Sequence, residues 1–200
     1  MSISSGSFSE FRMPILYGKL FSIADLAALP TEVPSGPVDY ELDNGSLVTM
    51  VPPGDEHAGV QAKISRQFLN QGQDRKLGVA RAEVGIVLWR NPDRLVGADA
   101  AFILSRSLPI RRTPEGYLET IPEIVVEVRS KNDTGPYVER KVADYLHAGV
   151  CMVLVPDPAT KTITAFEANG VSKTFAENED LTLGNLLPDF RASVAELFND

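Results

Sequence analysis

Apolar residues recur along this chain at two periods, and each switch between them marks the boundary of an element. Alternating or continuous β-branched runs at 79–89, 95–104, 124–128, 151–155, 162–166 and 171–175 predict strands. Residues 39–50 predict a hairpin, with Tyr40-Glu41-Leu42 and Leu47-Val48-Thr49-Met50 flanking the turn signal Asp43-Asn44-Gly45. Asn91-Pro92-Asp93 predicts a second turn, so that 79–89 and 95–104 pair antiparallel. Helical spacing takes over at Asp55, where Ala58, Val60, Ala62, Ile64, Phe68 and Leu69 predict the one long amphipathic helix, running to about Gln73. A short helix opens at a Ser22 cap, with Asp25 three residues on, and ends at Pro30. Another follows Gly135-Pro136, with Val138, Val142, Tyr145 and Leu146 on its apolar stripe and Gly149 as its stop. A last helix is predicted over 192–198. Residues 31–37 read as a connector, 105–120 as a loop carrying Arg106, Arg111 and Arg112, Pro156-Asp157-Pro158 as a turn, and the serine-rich stretch 1–14 as a mobile tail.

With 44% hydrophobic and 23% charged residues, the sequence predicts a single domain over 15–200 that buries a core without staples. The net charge of −8 argues against a broad nucleic-acid-binding surface, while remaining compatible with a local basic cleft. Cys151 is the single cysteine, which excludes an internal disulfide and a cysteine-based zinc site. Its place in the apolar run 150–155 reads as a small core side chain. No apolar run approaches a membrane span, and residues 1–11 lack both the basic start and the apolar stretch of a signal peptide. A cytoplasmic location without membrane contact is expected.

Candidate chemistry centres on carboxylates in strands. Glu127 sits inside the run Ile124, Val125, Val126, Val128, where burying a charge requires a partner. Residues two apart share a strand face, so Glu127 is expected to point with Arg129 and Val125, and Asp99 with Gly97, Ala101 and Ile103. Two such carboxylates repel unless a cation lies between them or one keeps its proton. Lys141 borders the apolar stripe of the helix after the strand and is aimed back toward Glu127. An acid pair of this kind suits Mg²⁺ or Mn²⁺, with the ammonium stabilising charge that develops on a phosphodiester. The same three residues read equally well as a structural ion-pair cluster.

Several blocks carry a resemblance in order and spacing: Y-E-L-D-N-G-S-L-V from Tyr40, P-G-D-E-H-A-G-V from Pro53, G-A-D-A-A-F-I from Gly97, P-E-I-V-V-E-V-R-S from Pro122, K-V-A-D-Y-L-H-A-G-V from Lys141 and V-L-V-P-D-P from Val153. Together they resemble the Uma-type restriction endonucleases, a restriction-endonuclease-like group within the PD-(D/E)XK nuclease superfamily. The resemblance implies an α/β (α+β) fold, a mixed β-sheet flanked by helices with an N-terminal hairpin and long helix. It further implies a metal-dependent endonuclease acting on DNA as a homodimer, with Mg²⁺ (or Mn²⁺) on Asp99 and Glu127 and no organic cofactor. Lys141 stands as the catalytic lysine displaced to the helix, Glu41 as a glutamate reaching the metal through water, and His57 as a phosphate ligand or proton shuttle. Arg129 and Ser130 fall at substrate-binding positions. Arg129 occupies the usual lysine position, two after the Glu, where it either grips phosphate or takes the metal's place. Ala98 replaces the proline that usually precedes the aspartate. The alternative is a catalytically inactive module that keeps the nuclease fold for binding or regulation.

Overall fold

The computed structural model describes residues 19–34, 36–50, 52–131 and 133–199; the stretch 1–14, predicted as a mobile tail, lies outside them. Helix α1 (Ile23–Leu26) opens on a full capping box, Ser22 and Asp25 each bonding the other's backbone N–H. Two-residue strands β1 (Glu32–Val33) and β2 (Gly36–Pro37) pair within the connector. The hairpin β3 (Asp39–Asp43) and β4 (Ser46–Met50) turns at Asn44 and Gly45, both at positive φ as a two-residue turn requires. Helix α2 (Asp55–Phe68) runs into a wide π turn over Leu69–Gln73. Then come β5 (Gly78–Trp89) and β6 (Arg94–Leu104), β7 (Ile124–Val126), α3 (Gly135–Ala148) and β8 (Met152–Asp157). The chain continues through β9 (Thr162–Glu167), β10 (Ser172–Phe175), β11 (Asp180–Leu183), β12 (Leu187–Ser193) and α4 (Val194–Phe198).

The main sheet runs β10-β9-β8-β7-β6-β3-β4, with β5 also on β6 and only β7 and β8 parallel. α3 supplies the crossover between the parallel pair, ending at Gly149 in the left-handed conformation. One face of the sheet packs under α2, α4 and the β11–β12 hairpin: Ile64 and Phe68 meet Phe102, Val126, Leu154 and Phe190. The other packs under α3, where Val142 and Tyr145 cover Val125, Val153 and Ile103. A smaller cluster joins Ile23 and Leu26 to Leu42, Val87 and Leu95. This is the mixed sheet flanked by helices expected from the sequence.

Several expectations need correction. β7 is regular only to Val126, so Glu127 lies just past its end, although Glu127 and Arg129 still donate their N–H groups to the carbonyls of Leu154 and Pro156. Val125, on the same face as Glu127, is fully buried beneath α3. α2 is not the one long helix: α3 has the same 14 residues. β8 extends through Pro156 and Asp157, where a turn was expected. Ala192 belongs to β12, and the last helix begins at Val194; the β11–β12 hairpin has a bulged register and Pro188 inside it, which blunt the alternation that reveals strands. Cys151 is partly exposed, outside the core.

Phe68 is fully buried, its ring 5.7 Å from that of Phe102 and 5.9 Å from that of Phe190. Truncating it opens a cavity between α2 and the sheet. Phe68→Ala is expected to lower the unfolding free energy by about 3–5 kcal/mol in a urea titration.

Candidate active site

β6 pairs with β5 along nearly its whole length, and a strand has only two edges. β3 and β7 must therefore share the other edge end to end, β3 meeting β6 at Leu95 and β7 meeting it at Ala100 to Phe102. Between these two pairings lies Gly97. Its N–H donates to Glu41 Oε1 at 2.9 Å and its carbonyl accepts from Lys141 Nζ at 3.4 Å, so side chains satisfy backbone groups that no strand reaches.

The register of the same edge brings the acids together. Ala100 faces Val126 and Ala101 faces Val125, so the next antiparallel step would set Asp99 opposite Glu127. There the strands part, and the Asp99 carboxylate takes the freed N–H of Val128 at 2.6 Å through Oδ2. His57, at the head of α2, reaches the same oxygen with Nε2 at 3.3 Å. Lys141, 5% exposed, reaches Glu127 Oε2 at 2.8 Å and Glu41 Oε1 at 3.2 Å. Tyr145, one turn further along α3, donates its hydroxyl to Glu127 Oε1. The structure thus gathers Asp99, Glu127, Lys141, Glu41 and His57 in one place.

Burial dominates the electrostatics. It pushes the Glu127 carboxyl up to about 7 against the pull of Lys141, and the negative charge of Asp99 adds to the rise. Burial works against charge on Lys141, but Glu127 and Glu41 outweigh it and hold the ammonium above the usual lysine range. Burial likewise works against charge on His57, yet its hydrogen bond to Asp99 leaves it above its ordinary value. Burial and then the neighbouring Glu127 raise the Tyr145 hydroxyl well above the phenol range.

A cleft of about 1200 Å³ opens over Glu41, His57 and Asp99, while Glu127 and Lys141 line a small adjoining pocket of about 20 Å³. Arg129, Ser130 and Lys131 stand on the wall of the large cleft. Arg129 does not enter the acid cluster: it donates to Asp157 Oδ2 at 2.9 Å and to the Asp133 carbonyl at 3.5 Å. Ser130 N–H is bound to Asp133 Oδ2 at 2.8 Å. In the loop ahead of β7, Arg106 pairs with the buried Glu123 instead of facing the cleft.

Glu41 is 3% exposed, so the ordinary reading of a hairpin acid as a surface group fails here. The Nδ1 atom of His57 is buried without a hydrogen-bond partner among the described residues, and Nε2 is on Asp99. Sequence reasoning missed Tyr145, which it used only as an apolar stripe member. Its i, i+4 spacing from Lys141 was the available signal. It also missed Arg94, which falls in none of the quoted blocks, and Asp144, which lies inside the block from Lys141 but was given no role there.

Two carboxylates are hard oxygen donors of the kind Mg²⁺ and Mn²⁺ take, and such ions keep several waters. No group of three or more His, Cys, Asp and Glu side chains is placed to hold a metal ion among the described residues, so an ion here would rest on two protein carboxylates and water. The donor set fits a largely hydrated ion of that class.

Residues 24–195 match the Uma2 family, described as "Putative restriction endonuclease". A crystal structure from Anabaena variabilis, described as "a putative nuclease belonging to DUF820", superposes with a TM-score of 0.69 over 88% of this chain and 96% of that one, at 16% identity. No curated protein matches the chain. By its sequence the chain belongs to the Uma2 family, and its fold is that of the restriction-endonuclease-like nucleases.

Proposed function

We propose that this chain is a metal-dependent endonuclease that hydrolyses phosphodiester bonds in DNA, working as one domain over 15–200 that pairs with a second copy in the cytoplasm. No helix among the described residues is long and apolar enough to cross a membrane. The observation that carries the reading is the meeting of Asp99, Glu127 and Lys141, from two strands and a helix, beside an open cleft. Asp99 and Glu127 would hold Mg²⁺ or Mn²⁺, which when bound polarises a phosphodiester and lowers the pKa of water.

The chain's own residues prepare that site. His57 and the Val128 N–H both bind Asp99 Oδ2, fixing the carboxylate. Lys141 and Tyr145 each bind one oxygen of Glu127. The ammonium of Lys141, kept charged by its acidic neighbours, sits where it can offset charge that builds on phosphorus. Glu41 holds Lys141 and the Gly97 N–H together. Arg129 and Lys131 are the basic residues on a cleft wall that also carries Asp39, Glu56, Glu83 and other acids, and Arg129, whose planar fork is engaged by Asp157 and the Asp133 carbonyl, would exchange those partners for phosphate. The alternative of an inactive module would be favoured by Arg129 bridging Asp99 and Glu127; Arg129 pairs with Asp157 instead, which takes that support from the alternative.

The test combines calorimetric titration of Mg²⁺ and Mn²⁺ with plasmid nicking by the wild type, Asp99→Ala and Lys141→Ala. Metal binding should vanish in the aspartate variant, and nicking should fall by about a hundredfold or more in both. Equal nicking by all three would overturn the assignment.

The raised Glu127 carboxyl makes a second, metal-free prediction. Between the ordinary value of 4.5 and about 7, the unfolded chain ionises this group while the native protein keeps it protonated, so its contribution to stability declines as pH rises through that window. Above about 7 both states are ionised and the decline stops. Thermal melts in chelator should show wild-type stability falling relative to Glu127→Gln across this interval, then running parallel above it.

A further inference from the structure

We propose that Arg94, working with Asp144, is a positioning residue that keeps Lys141 on Glu127. The proposal rests on the nuclease reading for its functional consequence, and on geometry alone for the positioning itself.

Arg94 opens β6 and is 3% exposed, yet it lines neither the large cleft nor the small pocket beside it. Its contacts reach two other elements, α3 and β3. Nε donates to Asp144 Oδ2 of α3 at 2.8 Å, Nη1 donates to the Leu42 carbonyl of β3 at 3.1 Å, and Nη1 lies 3.9 Å from Glu41 Oε2. Asp144 and Lys141 are three residues apart on α3 and share a helix face. One guanidinium thereby ties α3 to the hairpin that carries Glu41, across the end of the strand that carries Asp99.

Charge sharing adds to the tie. Lys141 has three N–H donors, and they meet Glu127 at 2.8 Å, Glu41 at 3.2 Å and the Gly97 carbonyl at 3.4 Å. Glu41 is the more deeply buried of the two acids, with 3% of its side chain exposed against 15% for Glu127. With Lys141 as its only cation, Glu41 would draw the ammonium inward, away from Glu127. Arg94 and the Gly97 N–H take part of that charge, leaving the shortest contact of Lys141 to Glu127. A lysine at position 94 has no planar fork with which to hold Asp144 and Leu42 together.

The experiment uses the full chain with ¹³C-labelled lysine. The Cε–Hε signal of Lys141 is identified by its absence in Lys141→Ala, and melts confirm that each variant folds. In Arg94→Gln the Lys141 signal should shift while the other lysine signals stay, and Asp144→Asn should shift it in the same sense. Arg94→Lys should recover part of the wild-type position. In plasmid nicking, Arg94→Gln should lose about tenfold in kcat with KM little changed, the size expected of a group acting through another. A Lys141 signal unmoved in folded Arg94→Gln and Asp144→Asn would overturn the proposal, as would a loss confined to KM. Should Arg94→Gln fail to fold, Asp144→Asn decides alone. A wild type that nicks nothing would remove the nuclease reading while the lysine signal still decides the positioning.

Discussion

The site depends on an interruption in a ladder. β6 is flanked by β5 on one edge, and the other edge is shared by β3 and β7, which leave Gly97 and Asp99 between them. Buried backbone groups left without a strand must find other partners. Here they are met by a carboxylate from the hairpin and an ammonium from α3, and the same parting of strands frees the Val128 N–H for Asp99. A requirement of the sheet thus brings charged side chains to one spot.

Those charges are costly to bury. Removing one partner of such a pair leaves the other uncompensated, at about 3–5 kcal/mol, while an apolar replacement of the whole set is often neutral or stabilising. Stability therefore gives little reason for Glu41, Glu127 and Lys141 to sit where they do. Burial also acts on Glu127, pushing its carboxyl up to about 7 against the pull of Lys141. Such a carboxylate is poised between protonation and ligation.

The two faces of the sheet contribute different parts. α2 packs over one face and brings His57 to Asp99, whereas α3 packs over the other and brings Lys141 and Tyr145 to Glu127. They meet because β7 leaves β6 after Val126, so that side chains from both layers reach the same edge. Arg94 extends the arrangement outward and joins α3 to the hairpin.

Local pattern determined much of this by itself. The Asn-Gly turn, the Ser22 capping box, the long antiparallel pair β5 and β6, and the amphipathic stripes of α2 and α3 follow from short-range rules, and the structure has them nearly where expected. That Asp99 and Glu127 each need a partner was legible from two acids in apolar runs, because a buried carboxylate asks for one wherever it occurs. What remained hidden depends on register and crossing. The burial of Glu41, the turning of Arg129 toward Asp157, and the clasp of Arg94 on Asp144 span 28 to 100 residues of chain, and no local periodicity encodes them. Only tertiary packing, by placing β3 and β7 end to end on one strand, decided which charges would share that edge.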